Sequence, residues 1–409
     1  MKSFTKTKNL LVEFNRKGHL CYNALATQNT LEKGLMIAET QLIFPSNLSV
    51  VRCYFANDEI YYFCTNGYVY TLQNGKAVKA IEEAFTSEPK CFEAKLSDGK
   101  ATFFYDGNYL YFLNGKKVKT PSFTGENSTV IYNRIFTAKD QTVYCSNDLI
   151  LDDLDEELNF DVVLEAPYEL GKVVGVGYID RSLIIACKNG VLRLDNFLNG
   201  RDIICTKIAS GYVDLKDKSV VTIGNFTYCL GRDGVYEISK TKVEKKADFN
   251  ENLPCEFLFY GSYENYYIAL VKTPKVLNVN LMHYNVSTGQ IEYSYCDDTL
   301  SALGGYAADK YVGFVRKLTL NKCLPGLPFY WHSGRLYLEN GLKRLISVEF
   351  DAHPPLDLIV KGEFGMVKTI LEEWEPSCKC NLASNWFEFQ LSSEWTDAKV
   401  EKMRIKYKV

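Results

Sequence analysis

Apolar and polar residues alternate with a period of two through most of this chain, in short runs. DEIYYFCTN, GYVYTLQN, GNYLYFLN, RSLIIACKNG, GVLRLDNF, NFTYCLGRDG, GVYEISK and NYYIALVK all follow it. Successive side chains of a strand point to opposite faces, so this alternation predicts half-buried strands. Almost no stretch carries the spacing of an amphipathic helix. Between the runs stand Asn66-Gly67, Asn74-Gly75, Asn114-Gly115, Asn189-Gly190, Asn199-Gly200 and Asp233-Gly234. These dipeptides tolerate the positive φ of tight hairpin turns, so neighbouring runs are expected to pair as antiparallel hairpins.

The hairpins recur. TNGYVYTLQNGKAVK at 65–79 is echoed by YDGNYLYFLNGKKVK at 105–119, with both glycines displaced by 40 positions. Strand pairs are expected at 58–79, 99–119, 130–150, 175–195, 219–239 and 257–293. The unit at TVYCSNDLILDD has a degenerate turn. The period is roughly 40–44 residues with three or four strands in each unit, and a repeat of about 40–50 residues with four short strands is the mark of a β-propeller blade. One such sheet cannot bury both faces by itself, whereas sheets stacked around an axis cover one another. The fold is therefore expected to be all-β: a β-propeller of six to eight blades, with seven favoured, and a small C-terminal β-sandwich-like domain. A pair of unrelated sandwiches or a β-solenoid are the alternatives. Neither a Trp-Asp blade signature nor a kelch double glycine is present. Tyr68-Val69-Tyr70 aligns with Tyr109-Leu110-Tyr111 at an offset of 41, while the following Asn-Gly aligns at 40. That slip predicts a bulge or altered turn between Tyr70 and Asn74.

Residues 51–342 are assigned to the propeller, with GGYAADKYVGFVRKL at 304–318 and FYWHSGRLYLENG at 329–341 as its seventh unit. Residues 1–50 are expected to form an N-terminal arm, whose strands NLLVEFN and TQLIFP are also available to close the last blade. Residues 343–409 carry five strand candidates without blade spacing. The last, VEKMRIKYKV, alternates Lys and Arg with apolar residues. It reads as a half-exposed strand at a domain edge or interface, its lysines blunting unwanted pairing.

Composition narrows the chemistry. Aromatics are 14% of residues, which suits strands. The net charge of −3, with both signs mixed, gives no reason to expect nucleic acid or an anionic membrane as a main partner. The 13 cysteines are scattered singly apart from Cys378 and Cys380, which points to a reducing cytoplasm rather than a disulfide framework. No signal peptide or transmembrane helix is expected.

The four histidines, His19, His283, His332 and His353, form no pair at ligand spacing. On a strand Cys378 and Cys380 would share one face, but further ligands are lacking nearby, and in a turn they read as plain loop residues. DDLDEE at 152–157 has no glycine to fold a calcium loop and reads as solvated. GVGYID at 175–180 lacks the context of a phosphate cradle and reads as strand packing. Tyr61, Tyr62, Tyr109 and Tyr111 read as blade core before sugar-binding surface. Carboxylates are plentiful, but nothing selects a catalytic pair. A non-enzymatic binder or scaffold is expected, with no catalytic, metal-ligating or cofactor-binding residues.

From Phe329 the chain reads FYWHSGRLYLENGLKRLISVEFD, and it ends WFEFQLSSEWTDAKVEKMRIKYKV. This resembles the closing region of β-propeller virion proteins of tailed bacteriophages and prophages. The aromatic phrase holds Trp331, Ser333 and Gly334. A strand led by Lys343 and Arg344 follows, then a short β domain with a basic, alternating last strand. The resemblance implies a virion structural protein at the portal–tail junction, a ring-forming, nozzle-like neck or tail component. It implies an interface including Trp331, Lys343, Arg344, Lys402, Arg404 and Lys406. Implied partners are other copies of itself, neighbouring virion proteins, and tail fibres or host-surface glycan. No sequence-specific nucleic acid, membrane insertion or cofactor is implied, and assembly would take place in the host bacterial cytoplasm. The ordinary net charge departs from the pattern, since no negative or neutral channel-lining face can be located. The alternatives are a cellular β-propeller scaffold or carbohydrate-binding protein, and a carboxylate-dependent hydrolase or lyase.

Overall fold

The computed structural model describes the 409-residue chain except residues 1–5, 16–19, 34, 44–49, 58, 97, 121–127, 151–156, 199–201, 212, 218, 250–255, 264, 273–278, 296–305, 309–310, 322–328, 354, 372–376 and 396–397. The acidic run at 152–157 lies outside the described residues except for Glu157. The fold is an all-β propeller with a sandwich attached. Six sets of four antiparallel strands follow one another along the chain, at 50–79, 90–119, 129–165, 173–210, 221–248 and 256–295, and form blades 1 to 6; the middle four are separate sheets, and the first and last extend into larger ones. Within each, the strands pair in sequence order.

The apolar cores of the ring lie between the sheets. Tyr61 and Phe63 of blade 1, with Phe85 of the connection that follows, pack on Phe104 and Tyr111 of blade 2. Phe103 and Phe112 of blade 2 meet Ile135 of blade 3, and Phe136 of blade 3 meets Leu183 and Leu192 of blade 4. Val174 and Ile184 reach Cys229 and Ile238 of blade 5, whose Tyr228 and Leu230 reach Tyr267 and Tyr284 of blade 6. Each sheet thus covers its successor, which is why period-two patterning recurs with both faces apolar at the strand centres.

A further unit comprises Tyr306–Ala308 and Tyr311–Asn321, paired with Leu35–Ile43 and joined to blade 1 through Tyr306 and Arg52. The N-terminal segment thus supplies a ring-closing strand. The glycines of GVGYID have the packing role expected of them. A Cβ on Gly175 would lie 2.4 Å from Val220, just ahead of blade 5, and one on Gly177 would lie 2.6 Å from Thr227 Oγ1 of blade 5.

The slip between the two echoing hairpins is absorbed in the turns. In blade 1 the first loop is Thr65-Asn66-Gly67 and the second is Asn74-Gly75, with Gln73 opposite Lys76. In blade 2 the first loop is Gly107-Asn108, and the second is Leu113-Asn114-Gly115 closed by Phe112 and Lys116. A three-residue loop followed by a two-residue loop becomes a two followed by a three. The strand from Tyr70 to Gln73 keeps regular register, so the altered turn occurs and the bulge does not.

The sandwich draws on both ends of the chain. Sheet I contains Ala24–Ala26, Thr30–Lys33, Lys399–Lys408, Lys343–His353 and Ser377–Ser384 in that order, with Thr7–Leu11 also paired to Lys399–Lys408. Sheet II runs Leu20–Tyr22, Phe329–His332, Phe387–Ser393, Leu356–Gly362 and Gly365–Leu371. Sheet II continues into blade 6, because Tyr22 pairs with Tyr293 and their rings stack at 4.8 Å. Two expectations are corrected here. The sandwich includes Phe329–His332, ahead of 343, and the strands Thr7–Leu11, Leu20–Tyr22, Ala24–Ala26 and Thr30–Lys33 belong to it rather than forming an arm. The reason is apolar: Val12, Phe14, Cys21, Leu31, Phe329 and Trp331 are buried with Leu345, Phe389, Met403 and Ile405 in one core.

Candidate functional site

The strand Lys399–Lys408 buries Val400, Met403, Ile405 and Tyr407. Its alternation breaks by one residue at Lys402, which has φ 51° and forms a bulge beside Glu349 and Asp351. After the bulge, Arg404, Lys406 and Lys408 point away from the core. This strand is not an edge. It pairs with Lys343–His353 on one side and with Thr7–Leu11 and Thr30–Lys33 on the other. Its lysines therefore do not serve the edge-blunting role expected of them.

The predicted interface residues separate. Arg344, Arg404 and Lys406 share the outer face of sheet I, and Arg344 Nε donates to Asn381 Oδ1 at 2.7 Å. Lys402 stands at the corner of that face, 4.0 Å from Asp351. Lys343 is buried, its Nζ donating to the carbonyls of Asn340 and Gly341 at 2.6 and 3.3 Å, so it closes a turn. Trp331 has no exposed surface. Its indole N–H donates to Phe14 O at 2.9 Å and its ring meets Phe14 edge-on. Both are framework residues, and the aromatic phrase that drew attention to Trp331 reports packing.

The register adds two residues that sequence reasoning missed. Lys379 lies opposite Ser347, which lies opposite Lys406, and Lys408 lies opposite Arg344. The outer face of sheet I thus carries Arg344, Lys379, Arg404, Lys406 and Lys408, with Glu349 opposite Arg404. Lys408 was visible in the last strand. Lys379 stood in CKC and gave no signal of its own.

Two buried His–Glu pairs also emerge. On adjacent strands of blade 6, His283 Nδ1 lies 3.7 Å from Glu292 Oε2, and Glu292 Oε1 accepts from the Ala26 N–H at 3.4 Å. Burial pushes the Glu292 carboxyl up to about 7 and the His283 imidazole down to about 4. Both shifts favour the neutral forms, so the pair is a polar contact rather than an ion pair near neutral pH. In the sandwich, His332 Nε2 lies 3.5 Å from Glu388 Oε2, while Arg335 Nε donates to Glu388 Oε1 at 3.2 Å and its guanidinium lies over Trp386. Cys378 and Cys380 lie side by side in the sandwich core with sulfurs 3.8 Å apart, and burial pushes the Cys380 thiol far up. Among the described residues no group of three His, Cys, Asp or Glu side chains is placed to hold a metal.

A cleft of about 430 Å³ opens between blades 4 and 5, lined by Ile179, Asp180, Asn225, Ser239, Lys240 and Thr241. Lys240 Nζ donates to Asp180 at 2.7 Å, and Arg193 donates to the Lys240 carbonyl at 2.8 Å. Asp180 and Arg181 occupy a hairpin turn with φ of 36° and 66°, where Asn-Gly would relax the backbone. The Arg181 N–H donates to the Tyr178 hydroxyl, which also meets the hydroxyl of the half-exposed Tyr132.

No protein-family model and no curated protein matches the chain. Among solved structures, the chain resembles the computationally designed Ika8 protein at 10% identity and TM-score 0.40, covering 90% of this chain and 99% of that one. BamB from Moraxella catarrhalis matches at 11% identity and TM-score 0.39, over 76% of this chain and 98% of that one. The Cps50 (Swd1) β-propeller domain of Myceliophteria thermophila matches at 13% identity and TM-score 0.43, over 62% and 88%. Similarity this low carries nothing about activity or partners.

Proposed function

We propose that this chain is a non-enzymatic structural protein of a tailed-phage or prophage virion, a ring-forming neck or tail component of the nozzle-like kind. The observation that supports this most is the free end of sheet II. Among the described residues, Gly365–Leu371 pairs only with Leu356–Gly362, and Phe364, Met366 and Ile370 are 71, 59 and 63% exposed. An apolar edge strand of that kind is a liability in a monomer and an asset in an assembly that covers it. The continuity of sheet II with blade 6 would transmit such a contact to the propeller. The resemblance of 329–409 to virion propeller proteins points the same way. Sizing with light scattering, followed by electron microscopy of particles from the same genome, tests it. Rings of defined copy number that Ile370→Lys with Met366→Lys dissolves, without lowering the melting temperature, are expected. A strict monomer absent from the particles would overturn the reading.

The cleft at Asp180 and Lys240, with Tyr132 and Tyr178 beside the same turn, favours a second reading as a carbohydrate binder. Carboxylate, amide and hydroxyl groups near an aromatic ring suit a sugar. Glycan-array binding lost in Lys240→Ala and Tyr132→Ala supports it, and an empty array removes it.

A further inference from the structure

At its Lys408 end the outer face of sheet I sets five cations against one anion, Glu349; further along the same face Glu401 and Asp351 are each within ion-pair distance of a lysine, Lys399 and Lys402. Along Lys399–Lys408, Arg404, Lys406 and Lys408 recur at every second residue, about 6.8 Å apart. On the neighbouring strand Arg344 stands directly opposite Lys408, and Lys379 lies one strand beyond, in the rung of Ser347 and Lys406. Like charges directly opposite one another in a sheet are destabilising. All five lie within about one or two screening lengths of each other at physiological salt. Among the described residues, Lys379, Arg404, Lys406 and Lys408 make no salt bridge, and Glu349 is the one acid opposite them.

Protection of a sheet edge does not account for them, because Lys399–Lys408 is flanked on both sides. A protein partner does not fit well either. Interface cores are depleted in lysine and anchored by aromatic or aliphatic groups. Here the remaining positions beside the cations are Thr7, Asn9, Ser347 and Ser377, with the small Ala383 opposite Arg344 and Leu11 at the rim opposite Arg404. Cations interspersed with small hydroxyl and amide side chains are the set that contacts phosphate oxygens. The three cations of the last strand span about 14 Å, a length over which one nucleic-acid strand presents about four phosphates.

We infer that the outer face of sheet I binds the phosphate backbone of nucleic acid, without reading sequence. The net charge of the whole chain conceals this face, since it averages a local excess against acidic groups elsewhere. The inference stands independently of the assembly reading above.

The test is fluorescence anisotropy of the full chain with a labelled 24-base-pair duplex of mixed sequence, from 50 to 250 mM KCl. Binding should weaken with salt with a log–log slope of about −3 to −4, since each neutralised phosphate contributes about −0.9. The triple variant Arg404→Gln, Lys406→Gln, Lys408→Gln should bind at least tenfold more weakly, with a slope shallower by about 2.7. It should melt no lower than the parent, because repulsion is relieved. If it fails to fold, Lys379→Gln with Arg344→Gln should still make the slope shallower by about 1.8. Polyglutamate and phosphatidylserine vesicles are run in parallel. No duplex binding at 50 mM, an unchanged slope in the variants, or tighter binding to polyglutamate or vesicles would each overturn the inference.

Discussion

Replacing Glu292 by Gln should stabilise the protein at alkaline pH and leave it nearly unchanged in acid. The carboxyl is 9% exposed, held between His283 and the backbone N–H of Ala26. His283 offers no compensating charge, because its own burial pushes it down to about 4. Glu292 is pushed up from an ordinary value of 4.5 to about 7. A carboxyl that holds its proton more tightly when folded contributes its full stability below about pH 4.5. That contribution is lost as the pH rises through 7. At about 1.36 kcal/mol per pH unit of separation, the loss reaches about 3 kcal/mol above pH 8. Gln matches the shape, keeps an acceptor for the Ala26 N–H and does not ionise. Urea unfolding followed by tryptophan fluorescence reads the neighbouring sandwich core through Trp331. The variant should gain about 3 kcal/mol at pH 8.5 and less than about 0.5 kcal/mol at pH 4.5. An equal gain at both pH values would reduce the effect to packing. A loss at pH 8.5 would mean that Glu292 is ionised and favourably paired, refuting the neutral contact.

Other outcomes follow from the packing. Trp331→Ala removes a fully buried indole and its bond to Phe14, and should cost about 3–5 kcal/mol by urea titration. A loss under 1 kcal/mol would show that Trp331 is not the centre of the sandwich core. Gly177→Val forces a side chain onto Thr227 across blades 4 and 5, and calorimetry should register about 1–3 kcal/mol of destabilisation. Gly75→Ala meets no neighbour but sits at φ 74°, so a cost of about 1 kcal/mol in chemical melts is expected from the backbone alone.

The blades were legible because their information is local. Alternation names the strands, and Asn74-Gly75 names the turn that joins two of them; Asp233-Gly234 marks the place of its turn but one residue late, since Gly234 already begins the next strand. The sandwich was not, because its pairings are remote: Thr7 lies opposite Lys408, and Leu20 opposite His332. No spacing rule links residues so far apart, and a short run such as LCY has no period to read. The basic face was half legible. Alternation reveals which side chains share a face, and so gave Arg404 and Lys406. It does not reveal which strands lie alongside, and so it hid Lys379 and made an interior strand look like an edge. The buried His283–Glu292 contact required register and burial together, and neither residue stands out in the text.

Among the described residues Thr7–Leu11 pairs only with Lys399–Lys408, and this puts a clock on biosynthesis. At about 5–20 residues per second, the first strand emerges some 20–80 s before Lys399–Lys408 exists. Blades 1 to 6 can pair as they appear, each hairpin being local. The sandwich core around Trp331 cannot form until Lys399–Lys408 has been made. Throughout that interval Val12, Phe14 and Leu31 have no core to enter, and a nascent chain interrupted late would carry six finished blades with an open seam.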